Sequence, residues 1–383
     1  MNKPTVQDIF RCFYSAYLEK YTPSPDQAKV ARNILNCKTG AHGANVSVCE
    51  DCGAVQIHYN SCRNRCCPMC QAVPKEMWMD ARREDVLDAP YLHLVFTVPD
   101  ILNPIIYNNQ KLLYDTLYHA ASATISELTA DPKHLGADVG YICILHTWGS
   151  EMNFHPHIHT ILLGGGLTSK NEWKDNGTEF FLPIRAVSKS FRGKYIDELK
   201  HLWNTGQLEF HGTAEKYRNY YVFKDLLDSC YDTEWIPYCK KTFNGAGSVI
   251  DYLGKYTHRI AISNHRIICM DDENVTFSVK DYRNKGQWKE LTLSGVEFIR
   301  RFLMHVPPKR FVRIRHYGLL CSRSKHKKLA LCRNLLGCQK YLSKLRGKEI
   351  PEILKQLYEI NICVCKSCGG HLGKPQLRKP QRC

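Results

Sequence analysis

Residues 155–167, HPHIHTILLGGGL, alternate with the two-residue period of an extended strand. Successive strand side chains point to opposite faces. His155, His157 and His159 therefore line one side, and Ile158, Thr160 and Leu162 the other. Two neutral imidazoles two residues apart on a strand can share one divalent cation. Gly164-Gly165-Gly166 is expected to end this strand. Upstream, YICILHTW (141–148) reads as a second strand, with residues 149–154 as the turn between them. A symmetric turn sets His146 across from His157 and completes a set of three histidines. The competing reading is a group of hydrogen-bonded core histidines. It fits a lone histidine better than it fits three in register.

The bulk numbers set the class of partner. At 383 residues, two or three domains are expected. No apolar run approaches the roughly 18 residues that a membrane helix requires. The N-terminal MNKPTVQDIFRCFYSAYLEKY has no apolar signal core and reads as an amphipathic helix. A soluble, cytoplasmic, nucleoid-associated protein of bacterial type is expected, with no membrane partner. A formal charge of +16 points to a polyanion, because lysines and arginines gain by displacing the counterions of nucleic acid. Nineteen cysteines, an odd number with several in Cys-x-x-Cys pairs, suggest metal binding over disulfides.

Cys49-x-x-Cys52 and Cys67-x-x-Cys70 have the spacing of a zinc ribbon. Each Cys-x-x-Cys forms a tight turn that offers both sulfurs to one tetrahedral zinc. Gly53 after Cys52 fits that knuckle. Cys37, Cys62 and Cys66 remain, either as a second zinc site completed by His42 or His58 or as structural thiols. Arg63 and Arg65, interleaved in SCRNRCC, suit phosphate contact or neutralise thiolate charge. Near the other end, Cys365-x-x-Cys368-Gly369-Gly370 repeats the knuckle. Cys363, His371, Cys332 and Cys338 are its candidate partners.

Tyr91 to Val98 (YLHLVFTV) reads as a strand closed by Pro99-Asp100, residues 104–128 as helix, and residues 187–230 as mainly helical. FFLPI (180–184) looks like a short strand. In NGAGSVIDYLGKYTHRIAISNHR (244–266), Ser248 is a plausible N-cap for a helix from Val249 to Tyr256. Tyr252 and Tyr256 stand at i and i+4, so both hydroxyls leave one face. Lys255, His258 and Arg259 put positive charge beside them. Such a pair is commonly core packing; a metal strand in a basic chain turns the reading towards chemistry. RIAIS, HRIICM, VTFSV and WKELTL follow as strands. FVRIRHYG (311–318) alternates Val312 and Ile314 with Arg313 and Arg315, giving one apolar and one cationic face for DNA. SRSKHKKLALCRNLL is basic and partly helical.

SCRNRCCPMCQ, LVFTVPD, LHTWGS, HPHIHTILLGGGL, FFLPI, SFRGKY, YLGKYTHRIAISNHRI, DYR and the RFLMHV to FVRIRHYG region occur in this order in rolling-circle transposases of the IS91 type. The chain resembles that family over roughly residues 35–320. The family is a two-tyrosine branch of the HUH endonucleases, named for a His-hydrophobic-His motif that here is His157-Ile158-His159. The resemblance implies an α+β fold. Its centre is a ferredoxin-like palm, an antiparallel sheet backed by helices, with an N-terminal zinc-ribbon-like module and a basic C-terminal region. The corresponding segments are residues 1–85, 86–300 and 301–383, the last with a knuckle at Cys365 and Cys368.

It implies Mg²⁺ or Mn²⁺ on His157, His159 and His146, zinc on the N-terminal cysteines, and Tyr252 and Tyr256 as paired nucleophiles with Lys255 assisting. His146 takes its role from a comparison with conjugative relaxases. The implied activity is single-strand nicking and strand transfer through 5′-phosphotyrosine intermediates. Partners are single-stranded DNA at insertion-sequence ends, target DNA and the host replication machinery, since no Walker-type motor loop is present. Two positions depart from the family: Cys66 stands where histidine is usual, and Asn45 in AHGAN where histidine is common. A plasmid replication initiator or relaxase with the same chemistry is the main alternative. A histidine-dependent nucleotidyl hydrolase and a zinc-dependent DNA-binding regulator without catalysis are weaker ones.

Overall fold

A computed structural model describes residues 3–175, 182–235, 238–241, 249–252, 254, 260–281 and 286–380. The strands are β1 (Ala44–Val48), β2 (Val55–Tyr59), β3 (Tyr91–Thr97), β4 (Asp138–Trp148), β5 (Phe154–Leu167), β6 (Trp173–Asp175), β7 (Tyr238–Lys241), β8 (Ile267–Met270), β9 (Asn274–Asp281), β10 (Gln287–Ser294), β11 (Ile314–Gly318) and β12 (Gln376–Arg378). The helices are α1 (Val6–Lys20), α2 (Pro25–Leu35), α3 (Ala72–Arg83), α4 (Asn103–Asn108), α5 (Gln110–Ala130), α6 (Ile184–Asn204), α7 (Tyr220–Asp232), α8 (Gly295–Met304), α9 (Lys325–Leu336) and α10 (Ile350–Tyr358). The class is α+β: antiparallel sheets backed by helices. No helix among the described residues is long and apolar enough to cross a membrane.

The largest sheet runs β11-β4-β5-β3-β7, with β6 added to β5. Its two faces do different things because of the pleat. Leu92, Leu94 and Phe96 of β3, Cys143 and Leu145 of β4, and Ile158 and Leu162 of β5 point into one core, closed by α5 and α6 through Leu117, Ala121, Phe191 and Tyr195. Each large side chain buried there contributes about 1.5–3 kcal/mol. The opposite face carries Ile142, Ile144 and Ile161 at one end and the histidines at the other. Thus one alternation makes both the anchoring core and the polar site.

A second core joins both halves of the chain. Helices α1 and α2 begin at capping boxes, Thr5 with Asp8 and Ser24 with Gln27, and Pro25 starts α2 without losing a helical hydrogen bond. Phe10, Phe13, Val30 and Ile34 pack on Phe298 and Phe302 of α8 and on Phe277 of the β8–β10 sheet. This block grips the β4–β5 turn. Met152, with φ +57°, is fully buried in it. His305 Nε2 donates to the Met152 carbonyl at 3.0 Å, and Arg301 to that of Glu151 at 3.0 Å.

Several sequence expectations change. The glycine run does not end β5, which continues to Leu167 and pairs with β4 and β6. Crowding explains the glycines: a Cβ on Gly166 would lie 2.3 Å from the Asp138 carbonyl oxygen, and one on Gly165 2.5 Å from the Trp173 ring. RIAIS forms no strand over 260–263, where Ala261 takes φ +51°. The described part of FFLPI leads into α6 instead of a strand. In FVRIRHYG only residues 314–318 are strand.

Candidate active site and cysteine clusters

The β4–β5 register sets His146 opposite His157, as the turn symmetry predicts, with Ile144 opposite His159. On the other side β3 aligns Thr97 with His157 and Val95 with His159. The three imidazoles are buried, and their candidate ligand atoms lie within 4.8 Å of one another. His157 Nδ1 lies 2.6 Å from the His155 carbonyl oxygen. A carbonyl only accepts, so Nδ1 carries the hydrogen and Nε2 keeps its lone pair. That lone pair faces His159 Nε2 at 3.1 Å. Adjacent ligands of an octahedral Mg²⁺ are about 3 Å apart, given bonds of about 2.0–2.1 Å, so this nitrogen pair fits one shared cation. Burial holds His157 near 3 and His159 well below the ordinary range, so both are neutral, as ligation requires. His155 stands at the rim, its Nδ1 3.2 Å from Asp100.

Tyr252 enters this site from a helical segment over residues 249–252. Val249 and Ile250 anchor the segment in the core containing Met79 and Ile144. Gly254 is fitted so closely that a Cβ there would lie 2.2 Å from Met79 Sδ. The Tyr252 hydroxyl lies 2.7 Å from His93 Nε2 and 3.3 Å from His159 Nδ1. His93 Nε2 is also 2.9 Å from His159 Nδ1. One imidazole nitrogen has a single lone pair, so it cannot accept fully from both neighbours. The shorter contact takes it: Tyr252 donates to His93 Nε2, and His159 Nδ1–H donates to the phenol oxygen. Burial lowers His93 to about 4, leaving it neutral and able to accept. Tyr256, Lys255 and Arg259 lie outside the described residues.

Sequence reasoning missed His93. In YLHLVFTV it shares a face with Val95 and Thr97, and only the pairing of β3 with β5 brings that face to His159 and His157. Trp148 was missed too; it stacks on His146 with centroids 4.5 Å apart and carries the Arg313 guanidinium 5.7 Å above its ring.

The arginines divide. Arg63 is exposed, with φ +54°. Arg65 donates to the Phe311 and Pro308 carbonyls at 2.6 and 3.3 Å. The cationic-face reading of FVRIRHYG does not hold: Val312 is exposed and Arg313 buried, because residues 311–313 precede the strand and Arg313 turns in over Trp148. Arg315 pairs with Asp115 and covers the Tyr118 ring at 4.0 Å. Beside them a cleft of about 350 Å³ is lined by Arg65, Arg310, Arg313 and Trp78.

Among the described residues the cysteines form two quartets, and neither is the one that spacing suggests. Cys37, Cys62, Cys67 and Cys70 make one, and Cys49, Cys52, Cys365 and Cys368 the other. Chain path is the reason: Cys37 at the end of α2 is brought to Cys62 and the 67–70 knuckle by Lys38 donating to Asn60, while β1 and β2 carry the 49–52 knuckle away. Zn–S bonds of about 2.3 Å give a tetrahedron with edges of about 3.8 Å. Cys62 and Cys70 sulfurs are 3.8 Å apart, so the first quartet fits zinc. Hydrogen bonds from Cys62, Cys67 and Cys70 hold Cys37 well below the ordinary thiol range. Cys66 is in neither quartet; it is buried, and desolvation raises its thiol against the nearby Arg313 and Arg65 charges. Asn45 donates to Asn60 Oδ1 at 2.9 Å.

These features define a protein with a buried histidine triad beside a tyrosine and two thiol quartets suited to metal; comparison with known proteins supplies the family. Residues 140–328 match the family model described as "Putative transposase", and residues 9–98 match the "Transposase zinc-binding domain". The chain is 41% identical, over 87% of its length and 84% of the relative's, to "Putative transposase y4qJ" of Sinorhizobium fredii. It is 30% identical, over 78% of its length and 71% of the relative's, to the transposase for insertion sequence element IS801 of Pseudomonas savastanoi pv. phaseolicola. No solved structure matches. The chain belongs to the transposases of IS91-type insertion sequences.

Proposed function

We propose that this transposase nicks single-stranded DNA at the ends of its insertion sequence by attack of Tyr252 on a phosphodiester. The observation that carries this is the convergence of the Tyr252 hydroxyl and the histidine group within hydrogen-bond distance. A divalent ion, Mg²⁺ or Mn²⁺, held by His146, His157 and His159 would draw charge from the scissile phosphate. Phenol ionises near pH 10 in water, so Tyr252 needs a proton acceptor. His93 Nε2 takes that proton while His159 Nδ1–H steadies the oxygen. The Tyr252 oxygen bonds to phosphorus and the bond from phosphorus to the 3′ oxygen breaks. The 3′ oxygen leaves as a hydroxyl, and its proton balances the one lost by the phenol. An imidazole that ionises near 4 is too weak to strip a phenol beforehand, so the proton moves to His93 only as the bond to phosphorus forms. It is then given up readily to the leaving 3′ oxygen.

The DNA 5′ end remains as a phosphotyrosine, which preserves the bond energy for rejoining. Tyr256, four positions on in the sequence, would serve the second cleavage, with Lys255 as its neighbour in the chain. Arg310, Arg65 and Trp78 suit a single strand passing the cleft, through phosphate pairing and base stacking. Strand displacement rests on host replication, in the cytoplasm at the nucleoid. A replication initiator or relaxase would share these residues, but the relatives named as transposases favour transposition.

The test is incubation of purified protein with a labelled single-stranded element end and Mn²⁺, followed by a denaturing gel. A covalent shift is expected, mapping by peptide mass to Tyr252 or Tyr256 and lost in the Tyr252→Phe/Tyr256→Phe double variant. Adducts retained in that variant would refute the assignment.

A further inference from the structure

We infer that Cys49, Cys52, Cys365 and Cys368 form a tetrathiolate zinc site of their own, a ribbon split between the two ends of the chain. The matched family segments stop at residue 328, so nothing in them accounts for Cys365 and Cys368. Cys49 and Cys368 sulfurs are 3.5 Å apart, and those of Cys52 and Cys365 3.8 Å. These are edges of a zinc–thiolate tetrahedron, and are far longer than the roughly 2.05 Å of a disulfide.

The backbone supports the same reading independently. The two Cys-x-x-Cys-Gly turns repeat one hydrogen-bond pattern. Gly53 N–H donates to the Cys49 carbonyl at 3.0 Å, and Gly369 N–H to that of Cys365 at 2.9 Å. Cys49 N–H donates to Ala54 at 2.9 Å, and Cys365 N–H to Gly370 at 2.8 Å. Both glycines take positive φ, +72° and +78°. In the second knuckle the amides of Ser367 and Gly370 point at the sulfurs of Cys365 and Cys368, each at 3.4 Å, as they do where thiolate charge needs support.

The tail is led to this place by other contacts. Asp80 of α3 accepts from Tyr341 at 2.7 Å and from the Leu345 amide at 2.9 Å. β12 then pairs with β1, and Gly373 N–H donates to Val48. Zinc here would lock the basic C-terminal strand onto the N-terminal module.

The experiment uses the full chain, purified without chelator, and is independent of nicking. Under iodoacetamide, Cys49, Cys52, Cys365 and Cys368 should resist modification while exposed Cys363 reacts. A strong zinc chelator should open all four together. Elemental analysis should give two zinc per chain, falling to one in Cys365→Ser/Cys368→Ser. Cys37, Cys62, Cys67 and Cys70 report on the other quartet separately in the same digest. If Cys365 and Cys368 react as fast as Cys363 in zinc-loaded protein, or if the double variant keeps the full zinc content, the inference is overturned.

Discussion

The Tyr252 hydroxyl and His93 Nε2 lie 2.7 Å apart although 159 positions separate them in the chain. If Tyr252 is the nucleophile proposed above, this contact offers it a proton acceptor that is neither one of the three proposed metal ligands nor a neighbour in sequence. Replacing His93 with alanine should slow adduct formation by about a hundredfold or more, the usual worth of a positioned base. Affinity for the single-stranded end should stay within about threefold. The measurement is single-turnover adduct formation against pH, beside a binding titration. A variant with the wild-type rate and pH profile would remove His93 from the mechanism.

His157 offers its Nε2 lone pair because its Nδ1–H is held by the His155 carbonyl. His157→Ala should abolish divalent-ion-dependent nicking while leaving DNA binding largely intact, since the imidazole is buried and not part of the basic cleft. Titrating Mn²⁺ into wild type and variant reads this out. Nicking that survives chelator in the wild type would count against a metal at this site.

Gly254, two residues after Tyr252, sits directly against the Met79 side chain. A Cβ at position 254 would lie 2.2 Å from Met79 Sδ and 3.1 Å from Lys75 Cε. Gly254→Ala should therefore push Tyr252 away from His93 and lower the adduct rate about tenfold, with the overpacking itself costing about 1–3 kcal/mol. Adding Met79→Ala should recover much of the rate, a coupling of the kind expected between touching residues. Additive losses in the double variant would mean that this contact does not set the position of Tyr252.

What could be read from sequence followed the range of the interactions. His146, His157 and His159 were legible because one short hairpin and a two-residue period bring them together. His93 was not, because its place depends on the pairing of β3 with β5, which no local pattern specifies. The cysteine knuckles were visible as Cys-x-x-Cys, but any two such turns can complete one tetrahedron. Only the return of the tail to β1 decides that Cys49 and Cys52 meet Cys365 and Cys368. The alternation in FVRIRHYG misled because residues 311–313 are not strand; Arg313 is buried and Arg315 is held by Asp115. The glycine run misled in the opposite sense, being required by a neighbouring carbonyl and an indole instead of by a turn.

His305 joins the second core to the β4–β5 turn, accepting from Thr147 Oγ1 at Nδ1 (3.1 Å) and donating from Nε2 to the Met152 carbonyl. Burial lowers it to about 4, opposed by the Met152 hydrogen bond and helped by the Arg300 charge. An unfolded histidine titrates near 6.5, so between about 4 and 6.5 the unfolded chain binds a proton that the folded chain excludes. Stability from this group is therefore complete above about pH 6.5 and is lost as pH falls towards 4, by on the order of 3 kcal/mol. His305→Gln keeps a donor and an acceptor but cannot titrate. Urea unfolding of wild type and variant at several pH values between 7.5 and 5 should show a shallower decline in the variant. Thiolate sites lose metal in acid in both proteins, so the difference between the two slopes isolates His305. Parallel declines would show that the imidazole is protonated in the folded protein and that the turn is not anchored by a neutral ring.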